Sequence, residues 1–207
     1  MIVYTASHGI KVKPQSTSIS GVDEWICFSV EKPPHPWTWV KLKKPFSDPC
    51  RNAKMPKILP WLFLPKTWTE SLWIDANMTL VSLPKAIPDD VDFAIHRHSK
   101  RNCVYDEAEA CIRKKKDNTK TITDQINKYR LHGFPPNFGL FECGVIYRKN
   151  TIPVRRICEQ WEVEITLNSR RDQLSLPYIL WAMGFRDQSK PRIYSLGNNY
   201  RKTKIVK

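Results

Sequence analysis

Asp75 and Asn77 stand one residue apart, between the apolar run Ser71-Leu72-Trp73-Ile74 and the short run Met78-Thr79-Leu80. An acid and an amide at that spacing offer two hard oxygen ligands, the kind that Mg²⁺ or Mn²⁺ accepts beside waters and substrate phosphates. The same pair suits an Asx turn that simply ends a strand, so the spacing leaves both readings open. A second cluster, Arg170-Arg171-Asp172-Gln173, opens a predicted helix, where backbone amides and the macrodipole already favour anions. Asp172 reads there as a helix cap or as a functional carboxylate. Glu142 lies inside the strand-like segment Leu140 to Arg148. Burying a carboxylate is costly without a partner, so Glu142 belongs to an ion pair or faces a polar substrate cavity. His96 and His98 flank Arg97 at the end of another predicted strand, although a lone histidine more often packs or is solvated than functions.

These side chains need elements to hold them. Residues 2–6 and the run Asp23 to Val30 read as buried strands, separated by the polar stretch Lys11 to Gly21 with its loop chemistry. Beyond the proline-rich break at 32–36, Trp37 to Leu42 alternates as a half-buried strand does. The proline-punctuated stretch 45–65 holds a short predicted helix over 51–58, and Val91 to His96 reads as a strand. Val104 to Lys116 has helical spacing, and its terminal lysine run suits the macrodipole, with a nucleic-acid patch as the less favoured alternative. A second helix is predicted over 121–132 with Gly133 as its stop. A third follows Pro153, with Val154, Ile157, Trp161 and Ile165 as its apolar stripe, and a last one runs from Ser169 to Met183. Pro177 fits that helix only near its first turn or at a kink. Strands alternating with helices predict an α/β domain on a mainly parallel sheet, where ligands bind outside the carboxyl ends of the strands. Thr5 to His8, Asp75 to Asn77 and the loop after His96 all stand at such ends.

The chain has 207 residues, enough for one sizeable core and short for two, so one domain is expected. Thirty-four Lys and Arg against 20 Asp and Glu leave a net charge of +14, which calls for an anionic partner without naming it. Six cysteines lie far apart without paired C-x-x-C spacing, which excludes the usual structural zinc pattern and predicts reduced thiols. The N-terminus lacks the pattern of a secretory signal, and no stretch approaches the ~20 apolar residues of a membrane span, so a cytoplasmic location is expected. Neither the dinucleotide fingerprint, the P-loop, the G-x-S-x-G elbow nor H-E-x-x-H occurs. The basic end from Asn198 reads equally as a linker or as a segment packed on the sheet.

Five blocks in order, KILP with SLWIDANMTL, HRHSKRNCVYDEAEACI, GLFECGVIYRKN, and W-x-x-E with SRRDQLSLPYILW, resemble the glycosyltransferase-like family that includes plant mucilage-related proteins. The likeness covers roughly residues 50–184 and is strongest to a viral branch that glycosylates a capsid protein. It implies a single GT-A-like, Rossmann-like αβα domain with a mixed, mainly parallel central sheet. The nucleotide-binding half would span about 1–100, the acceptor side about 101–190, with a basic tail at 191–207. It further implies a UDP-sugar donor, a glycan or glycoprotein acceptor, and Mn²⁺ or Mg²⁺ held at a DxD-like motif, here Asp75-Ala76-Asn77. The departure from a second Asp leaves Asn77 as a neutral ligand and Asp75 as the main one. By the same likeness Tyr4, Thr5, Ala6, Ser7 and His8 would line the base and ribose, and Arg51, Lys54, Asp75 and Ala76 would reach the rest of the nucleotide. Asp172, with Gln173 and Arg171, would be the catalytic group, as base, nucleophile or oxocarbenium stabiliser. His96, His98, Glu142, Cys143 and Gly144 would contact donor sugar or acceptor. No nucleic-acid partner is expected on this reading. The alternative from another class is a non-catalytic basic module that binds acidic glycan or nucleic acid, and a hydrolase that passes the donor sugar to water is a third.

Overall fold

The computed structural model describes residues 1–84, 87–185, 193–196 and 200–202. Strands β1 (Ile2–Ser7), β2 (Glu24–Ser29), β3 (Thr38–Lys41) and β4 (Glu70–Ile74) are joined in the central sheet by β6 (Phe93–Arg97), β7 (Phe141–Lys149) and β8 (Ile193–Ser195). The order across the sheet is β3-β2-β1-β4-β7-β6-β8. All neighbours are parallel except that β7 runs antiparallel to both β4 and β6, so the sheet is mixed and mainly parallel. This is the expected α/β character.

The helices are α1 (Pro49–Ile58), α2 (Val104–Arg113), α3 (Thr119–Leu131), α4 (Ile152–Leu167) and α5 (Asp172–Ala182). Helix α1 begins two residues before the predicted helix because Asp48 caps it, its side chain accepting from Cys50 N at 2.9 Å. Helix α5 tolerates Pro177 well inside it rather than only in its first turn. Helix α2 stops at Arg113, and Lys115 turns the chain with a φ of 49°, so the lysine run leaves the helix instead of ending it.

Helices α1, α4 and α5 pack on one sheet face over a core that includes Tyr4, Trp73, Phe93, Ile146, Trp161 and Leu176. Helices α2 and α3 add a second cluster around Ile122, Tyr129 and Leu174. The other sheet face buries Val3, Leu72, Ile74 and Tyr147 with Val12, Trp37, Met78 and Leu80, and no helix contributes to it among the described residues. The expected αβα layering is therefore uneven. Strand β3 also departs from expectation. It is an edge strand with all four residues exposed, not half-buried. The segment after Ile74 breaks at Asp75 and resumes as β5 (Met78–Leu80), which pairs antiparallel with β9 (Tyr200–Lys202). Part of the basic end thus lies on this small second sheet rather than forming a linker, and 203–207 fall outside the described residues. No helix among the described residues is long and apolar enough to cross a membrane.

Candidate active site

The strand order reverses direction at β1, with β2 built to one side and β4 to the other, and ligands in open α/β sheets bind outside the carboxyl ends of strands at such a point. Strand β1 ends at Ser7 and β4 at Ile74, so Ser7-His8 and Asp75-Ala76-Asn77 emerge side by side. Antiparallel β7 enters the sheet at the same end, and Asp75 N donates to the carbonyl of Gly144 at 2.8 Å. The β6–β7 register slips between Ile95 and His96, from Ile146 to Glu142, so Cys143 to Val145 have no β6 partner in the register and Val145 pairs with Ile74 of β4. Close approach at Gly144 is required. A Cβ there would come within 2.3 Å of Met78 Cε and 3.4 Å of Asp75 Oδ2.

A cleft of about 490 Å³ opens at this point. Ala6, Ser7 and His8 form one wall, Asp75, Ala76 and Asn77 the floor with Trp73, and α1 supplies Lys54 and Lys57. Lys116, Arg170 and Arg171 close the far side. The Ser7 hydroxyl donates to the Ile10 carbonyl while Ile10 N donates back to it, and Gly9 completes this turn at a φ of +86°. A second cleft of about 600 Å³ shares Ser7 and Ile10 and extends over Lys11, Ser29 and Lys32 at the end of β2.

The centre of the site is an ionic cluster. Asp172, only 5% exposed, receives Lys57 Nζ at 2.6 Å and Lys54 Nζ at 2.8 Å on the same Oδ2 oxygen. Lys57 also reaches Asp75 Oδ1 at 3.3 Å, an oxygen that accepts from Trp73 Nε1 at 2.9 Å. Burial opposes the charge of Asp172, but Lys54, Lys57 and Arg171 outweigh it and hold the carboxyl far below the usual range. Burial likewise opposes the charge of Lys57, and Asp172 with Asp75 raises its pKa instead. The cations thus hold Asp172 as an anion and a weak base, which suits an electrostatic role over proton abstraction. Burial raises the pKa of the adjacent Cys143 thiol, with the Asp172 charge adding to it, so this cysteine stays a neutral wall.

Among the described residues no three His, Cys, Asp or Glu side chains form a metal cluster. The donor set still fits Mg²⁺ or Mn²⁺ of the water-rich, phosphate-bridged kind, which needs one or two protein oxygens. Asp75 Oδ2 makes no hydrogen bond among the described residues, the Asp75 side chain is 40% exposed, and Asn77 lines the same cleft.

The structure brings together Ala6, Ser7, His8, Lys54, Asp75, Ala76, Asn77 and Arg171 in one cleft, with Asp172, Cys143 and Gly144 directly beneath or beside it. Gln173 braces this edge, receiving Arg171 Nη2 at 2.8 Å and donating to the Phe141 carbonyl at 3.3 Å. Other candidates lie elsewhere. Tyr4 is fully buried in the core, where Arg148 donates to its hydroxyl, and Thr5 is buried on the opposite sheet face. Arg51 turns from the cleft to cap α4, its two terminal nitrogens donating to the carbonyls of Ile165 and Asn168 at 2.9 and 2.7 Å. His98 Nδ1 accepts from the amides of Lys100 and Arg101, and Glu142 accepts from the amide and hydroxyl of Ser99, so both organise the turn after β6. His96 is buried opposite Glu142.

Lys57 is the main residue that sequence reasoning missed, although Lys54 and Lys57 stand three apart on a predicted helix and so share a face. Trp73 carried a signal too, lying two residues before Asp75 on the same side of the strand. Lys116 carried none, because the left-handed turn at Lys115 places it, whereas Arg170 stood in the cluster at the predicted helix start and is set by the clamp of Asp117 on Ser169 and Arg170.

The family model described as TOD1/MUCI70, glycosyltransferase-like domain, matches residues 35–206. Among curated proteins, the chain is 33% identical over 146 residues to "Probable hexosyltransferase MUCI70" of Arabidopsis thaliana, covering 63% of this chain and 25% of that protein. The chain therefore spans about a quarter of that relative's length. The family match takes in α1 with both lysines, the Asp75–Asn77 floor, β7 and the Asp172 helix, and leaves out residues 1–34, with β1, β2 and the Ser7-His8 wall of the cleft. With most of its length matched, this chain belongs to the TOD1/MUCI70 glycosyltransferase-like domain family.

Proposed function

We propose that this domain is a metal-dependent glycosyltransferase that moves a sugar from a UDP-sugar to a glycan or glycoprotein acceptor. The observation that carries the reading is the pair of lysines on α1, Lys54 and Lys57, held by Asp172 and Asp75 at the switch point of the sheet. A leaving nucleoside diphosphate needs positive charge that is already in place when its own charge develops. Lys54, Lys57, Lys116, Arg170 and Arg171 supply it along the cleft. Asp75 and Asn77 would hold Mn²⁺ or Mg²⁺, which when bound adds positive charge for the diphosphate. Ser7, His8 and the adjoining cleft over β2 would take the nucleoside. Asp172, fixed as an anion, would face the developing positive charge on the sugar, and Gln173 and Arg171 would keep it there.

The donor sugar is a hexose, a deoxyhexose such as rhamnose, or a uronic acid, and the relative's printed name favours a hexose. The proposed acceptor follows the viral resemblance, a glycan of a capsid glycoprotein. A reducing, cytoplasmic setting is part of the proposal, supported by six free cysteines.

Calorimetric titration of UDP and a panel of UDP-sugars, with Mn²⁺ and then with chelator, tests donor and metal together. Binding that requires Mn²⁺, followed by transfer to an acceptor panel, is the expected result. Binding that survives chelation removes the metal from the proposal. Absence of nucleotide binding in both conditions overturns it and leaves the basic binding module, whose glycan or nucleic-acid affinity would fall steeply with salt.

A further inference from the structure

Arg148 on β7 is fully buried, and among the described residues no carboxylate pairs with it. A buried charge without an anion is costly, and its presence demands an explanation. Its guanidinium lies 5.7 Å from the Phe93 ring centre and 6.0 Å from that of Trp161, which offers only weak compensation. Among the described residues Nε and Nη2 find no hydrogen-bond partner, so the bonds made by Nη1 are the ones that hold this side chain. Nη1 makes both of its bonds, to the Tyr4 hydroxyl at 2.8 Å and to the main-chain carbonyl of Lys57 at 2.6 Å.

That carbonyl belongs to the last turn of α1, where helical carbonyls have no intrahelical donor and a cation also complements the macrodipole. The same turn is intrinsically weak, because Pro56 lacks an amide hydrogen and so cannot bond back to the turn before it. Arg148 reaches up from the sheet and holds the one residue of this turn whose side chain bridges Asp172 and Asp75. A backbone shift of even about 1 Å at Lys57 would disturb both contacts, and displacements of that size cost catalysis heavily.

We propose that Arg148 is a positioning residue for the transfer reaction: it fixes the main chain at Lys57 and so sets the lysine ammonium between Asp172 and Asp75. The proposal rests on the reading of the cleft as a sugar-transfer site for its functional consequence, but not for the placement of Lys57. Arg148→Met keeps most of the apolar volume and removes the unpaired charge but takes the donor from the Tyr4 hydroxyl and the Lys57 carbonyl, so the two effects offset and its thermal stability is expected to change little. Its kcat is nevertheless expected to fall at least tenfold with a smaller change in KM, and Arg148→Lys, which keeps one donor, is expected to recover part of it. Nitrogen-detected NMR of the Lys57 ammonium gives a readout independent of turnover: its protected signal should shift or broaden in Arg148→Met and return toward the parent position in Arg148→Lys. A parallel fall of stability and kcat with an unchanged Lys57 signal would show a merely structural role and overturn the proposal. If the parent protein shows no transfer at all, the functional reading fails while the Lys57 signal still decides the positioning role: a signal unchanged by Arg148→Met overturns it.

Discussion

Four side chains, Lys54, Lys57, Asp75 and Asp172, form the ionic cluster at the cleft, and their coupling is measurable one residue at a time. Lys57 shares Asp172 with Lys54 but alone bridges to Asp75. Lys57→Met should therefore cost ~1–3 kcal/mol of stability, the range for leaving buried charged partners short of a hydrogen bond, and lower UDP affinity tenfold or more. Denaturant unfolding with calorimetry on the same variant checks both. The Asp172 carboxyl is depressed in the folded protein, so its contribution is complete above its unfolded pKa of about 4 and is lost as pH falls below that toward the folded value. Lys57 is raised, so its contribution is complete below its unfolded pKa of about 10.4 and is lost as pH rises through the folded value. The cluster should thus stabilise the fold evenly from about pH 4 to about pH 10. The stability gap between the parent and Asp172→Asn should shrink in acid below that window and in alkali above it, and unfolding curves across pH 2–7 test the acid side.

At the scale of elements, the site depends on where α1 starts and on how closely β7 approaches the Asp75 turn. Asp48 caps α1 and also pairs with Arg170 at 3.1 Å, joining the helix to the far wall of the cleft. Asp48→Ala should cost about 1–2 kcal/mol, the upper range for a lost cap, as read from the shift in denaturation midpoint. Gly144→Ala tests the other contact. The added methyl meets the flexible end of Met78 first and Asp75 next, so a stability loss of ~1–3 kcal/mol is expected, in the range for overpacking. If the methyl also displaces Asp75, Mn²⁺-dependent nucleotide binding should weaken more than metal-free binding, which titration with and without chelator resolves.

Across the whole molecule, the +14 charge is explained only in part by the cleft, whose lining carries Lys54, Lys57, Lys116, Arg170 and Arg171 against Asp48 and Asp75. The rest, including exposed Lys114 and Lys115 beside the cleft, acts at long range. Stopped-flow binding of a UDP-sugar should therefore show an association rate that falls by ~10-fold or more between low and high salt, as steered encounters do. The dissociation rate should change less, because charges inside the cleft are screened weakly.

The alternation of apolar runs, proline breaks and helical stripes was enough to predict an α/β chain on a mainly parallel sheet, because those periods report local backbone and burial directly. The Asp75–Asn77 turn and the Asp172 helix start were legible for the same reason: each is a polar group at the boundary of an apolar element, one at its end and the other at its start. What tertiary structure alone decided is which cations those acids meet. Arg51 and Lys57 stand six residues apart on one helix, yet one caps α4 and the other enters the site. That choice depends on the side of α1 packed against α4 and on the end held by Arg148, contacts between residues as much as 117 positions apart in the chain. Local spacing places a charge on a face, but only packing determines what that face touches.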